Sequence, residues 1–193
     1  MSSIEISTII SEFTSGSDIR AEKAALEFSS AGLQNLTIFN HLLADQRADV
    51  RWWAIRSLAE VRSPKATPLL IKSLSDPDLS VRQCSALALQ HQPNPLAIPG
   101  LIQALNSTDQ LLARLAGDAL IAIGSEAVPA LLEVMQVGNL KIRIEAARAL
   151  GKVGDTRAVP ELFNALDGES AVLEHWAEEG LEKMGIGMVF YQP

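Results

Sequence analysis

Cysteine, histidine and aromatic residues are all scarce in this sequence of 193 residues. Cys84 is the single cysteine, so no intramolecular disulfide can form, and neither a zinc cluster nor a secreted disulfide scaffold is indicated. A reducing, cytoplasmic setting is the expectation that follows. Aromatics contribute 5% of the chain against 48% for all hydrophobic residues, so the core has to be assembled from Ala, Leu, Val and Ile, a set suited to closely packed helices. Basic residues are also in the minority: 16 Lys and Arg face 23 Asp and Glu, for a formal charge of −7, and they form no run. That balance argues against an electrostatic grip on nucleic acid or anionic lipid. The stretch from Met1 to Phe13 has neither a basic start nor an unbroken apolar run, so no signal peptide or membrane span is expected.

What the sequence has in abundance is self-similarity. Val50-Arg51, Val81-Arg82 and Ile142-Arg143 each open a stretch rich in small residues that closes on a leucine, Leu58, Leu89 and Leu150, at a spacing of about 31 residues. A second marker keeps the same period: Ala66-Thr67-Pro68, Ala97-Ile98-Pro99, Ala127-Val128-Pro129 and Ala158-Val159-Pro160. Each proline precedes a Leu-rich run, as befits a residue that fits the first turn of a helix but breaks its middle. Every repeat is therefore read as a helical hairpin, with bends at Ser75-Asp76-Pro77-Asp78, Asn106-Ser107-Thr108-Asp109, Gly138-Asn139 and Asp167-Gly168. Leu112 and Leu120 hold the frame in a third unit that carries Ala113 where its neighbours have Arg, and Leu173 to Gly185 forms a fifth with Glu174 there. Upstream, Ile19-Arg20 and the stretch Leu33 to Leu43 read as a degenerate first pair, with Ile4 to Phe13 as an extra capping helix. The expected organisation is one repeat domain over residues 1–193. It has a capping repeat over 1–48, regular repeats over 49–168, a capping repeat with tail over 169–193, and about twelve helices.

The pattern Val-Arg-x-x-Ala-x-x-x-Leu, followed by a turn and Ala-x-Pro-x-Leu-Leu, resembles the HEAT-repeat superfamily and, within it, the phycobilisome lyase HEAT-like branch. Ile142 to Leu166 is its clearest instance, and the resemblance covers roughly Ala48 to Gly185. It implies an all-α, right-handed solenoid of about five to six helical hairpins. Functionally it spans bilin lyases of the E/F type, a phycobilisome degradation factor, partners of iron-sulfur assembly proteins and scaffolds. Lyases of this type work as a pair of related HEAT chains that hold an open-chain tetrapyrrole and deliver it to a phycobiliprotein cysteine.

In such repeats the Val-Arg helix lines the concave surface, so the repeat register selects the candidate site. With Ile142, Ala146, Ala149, Leu150 and Val153 inward, Glu145, Arg148 and Lys152 fall outside. The same row gives the candidate binding residues Trp53, Arg56, Cys84, Leu87, His91, Leu115, Asp118, Trp176 and Glu179, together with Glu60, Ala122 and Lys183. Trp53 and Trp176 occupy equivalent points near opposite ends of that face, where an exposed indole is a frequent binding anchor. Trp52 is assigned to the core or a seam between repeats, since only one of two successive residues is expected to point into the groove. Arg51, Arg82 and Arg143 are assigned to a structural ladder with turn carboxylates such as Asp76 or Asp49, and Cys84 to packing.

Conventional catalysis has no visible carrier. The chain has three His and no His-Glu dipeptide, unlike the di-iron hydroxylases of this architecture, and Glu60, Asp118 and Glu179 interrupt the groove, unlike the basic grooves of HEAT-like DNA glycosylases. No phosphate loop, nucleophile elbow or metal site is found. The expected function is a protein-binding scaffold without a cofactor, its partner a protein such as a second HEAT chain or a phycobiliprotein. The alternative is a bilin lyase subunit or bilin-handling chaperone with phycocyanobilin as ligand. In that alternative Trp53, Trp176 and Leu87 stack on the pigment, Arg56 or Arg82 pairs with its propionates and Asp118 meets its pyrrole nitrogens. The apolar tail Val189, Phe190 and Tyr191 is read as a cap over the last hairpin, or else as an interface.

Overall fold

Helices follow wherever the repeat markers place them. The computed structural model describes residues 6–30, 36–61, 63–167 and 170–186, and among these it has twelve α-helices and no strand. The chain divides into two compact units, 1–92 and 93–193. The first holds α1 (Ile6–Phe13), α2 (Asp18–Ser30), α3 (Leu36–Leu42), α4 (Ala48–Glu60), α5 (Thr67–Ser73) and α6 (Leu79–His91). The second holds α7 (Ile98–Leu105), α8 (Gln110–Ile123), α9 (Val128–Val137), α10 (Leu140–Val153), α11 (Val159–Asn164) and α12 (Ala171–Lys183). This is the all-α, helical-repeat class expected. The tail residues Val189, Phe190 and Tyr191 and the turn residue Gly168 lie outside the described residues.

Each hairpin consists of a proline-led helix and the longer helix after it. In the C-terminal unit α7 packs on α8, α9 on α10 and α11 on α12, while α8, α10 and α12 pack side by side as a second layer. Pro99, Pro129 and Pro160 sit in the first turns of α7, α9 and α11, where no backbone N–H is missed. The tight bends are held by side-chain caps. Asp109 Oδ1 accepts from the Leu112 N–H at 2.7 Å and Asn139 Oδ1 from the Ile142 N–H at 3.2 Å. In the N-terminal unit Asp78 Oδ1 accepts from the N–H groups of Ser80 and Val81 at 2.8 and 3.3 Å. Each such cap contributes about 1 kcal/mol.

The N-terminal unit departs from the expected pairing. Helix α2 turns back on α1 and also packs on α4, and α3 packs on α4, so the first pair is α1 with α2. Gly16, at φ +71°, supplies the left-handed residue of the short turn between α1 and α2. Nor does Ile19 occupy the core position its marker suggests: it is 83% exposed, and α2 buries Ala21, Ala25 and Phe28 instead. That triplet matches the spacing of Val50, Ala54 and Ser57 on α4, which places the register two residues later than the Ile19-Arg20 motif. Two residues rotate a helix by about 200°, enough to turn Ile19 outward.

The arginines of the Val-Arg motif fasten turns. Arg51 makes a bidentate pair with Asp76 at 2.7 and 2.8 Å and donates to the carbonyls of Asp45 and Gln46 at 2.9 and 3.0 Å. Arg82 donates to the carbonyls of Asp76 and Pro77 at 2.6 and 3.0 Å. Burial opposes ionisation of Asp76, yet the hydrogen bonds from Arg51 and from the Asp78 N–H prevail and lower its pKa. Hydrogen bonding from Arg47 likewise holds Asp45 at about 2.

One prediction concerns helix contact. On α10 and α12 a Cβ built at Gly180 would lie 2.7 Å from the Cα of Gly151, and one at Gly151 equally close to that of Gly180. The clash is with backbone, which cannot swing aside as a side chain tip can. Gly180→Ala therefore lowers stability by about 1–3 kcal/mol, the overpacking outweighing a helix-propensity gain of about 1 kcal/mol. Urea unfolding measures it, and an unchanged or raised midpoint would refute the close crossing. A second prediction concerns pH. Folded-state values below the unfolded value of about 3.9 mean that the stabilisation by Asp76 and Asp45 is complete above that pH and is lost as pH falls through the folded values. The urea midpoint should hold level from pH ~7 to ~5 and drop between ~4 and ~2. Asp76→Asn should lower the plateau and shallow the drop, and an identical profile in that variant would rule out the clamp.

Candidate functional site

A concavity of the N-terminal unit lies along α2, α4 and the start of α6, and it has a volume of about 980 Å³. Its floor is made by Trp52 and Trp53, whose rings meet edge to face at 4.7 Å and 87°. Trp53 is also stacked on Phe13 at 6.1 Å. Both indoles are half-buried and both line the groove, so Trp52 lies at a seam between α2 and α4 rather than in the core, and the expectation that only one of the pair points into the groove fails. Ile19 and Leu26, 83% and 46% exposed, form one lip. The polar lining is acidic, with Asp18, Glu22, Glu27, Asp49 and Asp78 against a single basic residue, Lys23. Arg56 lies behind this rim, bound to Glu22 at 2.7 Å and to Glu60.

The other candidates of this unit differ in what they can do. Cys84 is buried, and burial pushes its thiol up to about 12 against the opposing pull of the Arg56 cation. A thiol in that state is not a thiolate at neutral pH, which removes it as a transfer group. Leu87 is 43% exposed and His91 is exposed, and neither lines the tryptophan groove. Arg56 and Arg82, the two residues matched to propionates, are already committed to Glu22 and Glu60 and to turn carbonyls.

In the C-terminal unit the candidate row is partly a buried network. Arg148, expected outside, is 1% exposed and donates to Asp118 and Glu145 at 2.7 and 2.9 Å. It fits because α8 carries Gly117 at that point: a Cβ there would stand 2.5 Å from its Nη2. Asp118 is thus held by Arg148 and has Arg114 further off, at 3.9 Å. Leu115 is half-buried, and Glu179 is exposed with its carboxylate 3.7 Å from His175. Trp176 is half-buried, and the Arg114 guanidinium stands over its ring at 5.9 Å. Arg114 also lines a pocket of about 450 Å³ with Leu111, Lys141, Ile144 and Gln110.

Sequence reasoning missed Arg114 and misplaced Trp52 for one reason. Both stand two residues after the opening apolar residue of their helix, one step before the row that was followed. That position also carries Ile144 and His175, and a list of it across the repeats would have shown a second line of functional side chains.

The HEAT-repeat family matches this chain over residues 36–120 and 98–182. The chain is 38% identical over 89 residues to the phycocyanobilin lyase subunit beta of Pseudanabaena tenuis, covering 46% of this chain and 32% of that protein. Bilin biosynthesis protein RpcF of Synechococcus is 29% identical over 131 residues, covering 67% of this chain and 57% of the relative. The phycocyanobilin lyase subunit alpha of Picosynechococcus is 30% identical over 131 residues, covering 68% of this chain and 42% of that protein. The chain therefore spans between about a third and somewhat over half of the length of these relatives. Among solved structures, the archaeal HEAT-like repeats protein of Thermococcus onnurineus superposes with a TM-score of 0.65 at 18% identity, over 95% of this chain and 82% of that one. The complex of CpcE and CpcF of phycocyanin lyase from Nostoc does so with 0.55 at 22% identity, over 96% and 79%. No described helix is long and apolar enough to cross a membrane. The chain belongs to the HEAT-repeat family.

Proposed function

We propose that this chain is a bilin-handling HEAT subunit, which holds an open-chain tetrapyrrole for attachment to a phycobiliprotein and works beside a second HEAT chain. The observation that carries the proposal is its relatedness to phycocyanobilin lyase subunits, which extends over about two thirds of the chain. The chemistry of the C-terminal unit supports it. A bilin is a conjugated, largely apolar ligand that carries two propionate carboxylates. Arg114 offers a cation beside one pocket, with Leu111 and Ile144 as apolar walls and Trp176 against it, while Lys141 adds positive charge there but gives its hydrogen bonds to the carbonyls of Ser107 and Thr108 at 2.7 and 3.1 Å. Because Arg148 takes the carboxylates of Asp118 and Glu145 at the shorter distances, Arg114 keeps charge to offer an incoming carboxylate. The volume of about 450 Å³ lies within the range of small-molecule sites. Arg114 thus takes the propionate role first given to Arg56 or Arg82, and Cys84 takes no part.

A second reading, a protein-binding adaptor, is favoured by the acidic tryptophan groove of the N-terminal unit.

Titration of the purified chain with phycocyanobilin, followed by visible absorbance and tryptophan fluorescence together, tests the pigment reading. Saturable quenching with a pigment shift is expected at up to tens of micromolar. Trp176→Phe should remove most of the quenching, Arg114→Gln should weaken binding by about threefold to tenfold, and Cys84→Ser should change neither. Two silent signals over that range would remove direct bilin binding by this chain and leave the adaptor reading in place.

A further inference from the structure

We infer that the groove along α2 and α4 of the N-terminal unit is a docking surface for a basic amphipathic helix of a partner protein. This inference stands on that groove alone and is independent of pigment binding in the C-terminal unit.

Three observations identify the occupant by its chemistry. The first is apolar surface left uncovered on one helix. Ile19 and Leu26 are seven residues apart on α2, hence two turns apart on one face, and both are exposed beside the half-buried Trp52 and Trp53. Indoles in a concave, apolar setting are the usual anchors of helix-in-groove recognition, which reads an apolar stripe from the partner. The second is charge. Five carboxylates face one amine around the opening; Arg56 pairs with Glu22 and Lys23 with Glu27, so Asp18, Asp49 and Asp78 set its negative sign. A ligand that presents carboxylates, bilin included, is repelled here, whereas one that flanks its apolar stripe with Lys and Arg is attracted.

The third observation concerns the chain's own segments. The residues outside the described structure at its ends, 1–5 and 187–193, contain no Lys or Arg. A second copy of the chain brings a net charge of −7 of its own. Neither of these complements the rim, whereas a basic helix does. The two-residue shift of register on α2 is what opens the site: in the register of the other repeats Ile19 would be core, and the lip would be absent.

The test uses the full chain carrying Trp176→Phe, so that fluorescence reports Trp52 and Trp53 only. The probe is a synthetic amphipathic helix of about eighteen residues built from Leu and Lys, long enough for about five turns; its counterpart has Glu in place of Lys. The Lys peptide is expected to bind at micromolar to tens of micromolar concentration and to weaken at least tenfold between about 0.05 and 0.5 M salt, and the Glu peptide is expected not to bind. Asp18→Asn with Asp49→Asn should weaken binding by about threefold to tenfold, and Ile19→Ser with Leu26→Ser at least as much without a change of charge. The control pair Glu133→Gln with Glu182→Gln, exposed in the other unit, should leave it unchanged. All four residues altered in the groove are exposed, and circular dichroism checks that each variant keeps its helices. Equal loss in the control pair would reduce the attraction to net charge and overturn the proposal. Binding of the Glu peptide would overturn it too, as would self-association of the chain that Ile19→Ser with Leu26→Ser abolishes, since a second copy would then be the occupant.

Discussion

Close approach of neighbouring long helices is the constraint on which the rest of this molecule depends. It is tightest where Gly151 on α10 meets Gly180 on α12. Elsewhere it is lined by buried alanines such as Ala54 and Ala88 in one unit and Ala116, Ala119 and Ala146 in the other. Helices that lie this close bury their small residues against each other and leave little room for rings. Among the described residues the core therefore holds few rings, Phe13 and the contact of Phe28 on Phe39 at 4.5 Å, and the other aromatics lie at the edge of the packing. All three tryptophans are half-buried. In a chain with 5% aromatics, indoles at the rim of the core leave their remaining faces available for binding.

The same constraint governs the charges. An arginine fits beneath this surface only where the facing helix supplies space, as Gly117 does for Arg148, and only where acids receive it, as Asp118 and Glu145 do. The Arg51 pair with Asp76 answers the same requirement at a turn. These internal pairs absorb a share of the basic residues, so the surface cations that remain, notably Arg114 and Lys141, carry more of the local potential than the overall count suggests.

Much of the fold was legible because it is periodic. The proline markers and the Val-Arg motifs fall in helices α4 to α11, the twelve-helix count agrees with the twelve among the described residues, and the capping Asp78, Asp109 and Asn139 sit at bends marked in the sequence. Reading failed where periodicity did. Ile19-Arg20 looked like a repeat marker, but Ala21, Ala25 and Phe28 outcompete Ile19 for the core because they keep the apolar spacing along the whole of α2. Arg148 was placed outside because side-chain pairing between helices cannot be read from one helix alone. Trp52 was excluded by a rule of alternation that does not hold at a helix edge, where two successive residues, about 100° apart, can both border one groove.

The two units differ most in the sign of the charge beside their apolar concavities, and this difference bears on how a chain of this size can serve in a larger assembly. A dianionic, conjugated ligand and a basic helix make opposite electrostatic demands, and no single concave surface meets both. The N-terminal groove stays acidic because Arg56 and Lys23 pair with only two of its lining acids, Glu22 and Glu27, and leave Asp18, Asp49 and Asp78. Beside the C-terminal pocket Arg148 takes Glu145 and holds Asp118 more closely than Arg114 does, which leaves Arg114 the less compensated cation. In each unit one committed arginine sets how much charge is left over. Exchange of that single residue is therefore a stronger lever on ligand choice than alteration of the lining itself. Removing Arg56 would deepen the negative field of the groove, while removing Arg148 would return Asp118 to Arg114 and cancel the cation on which an anionic ligand depends.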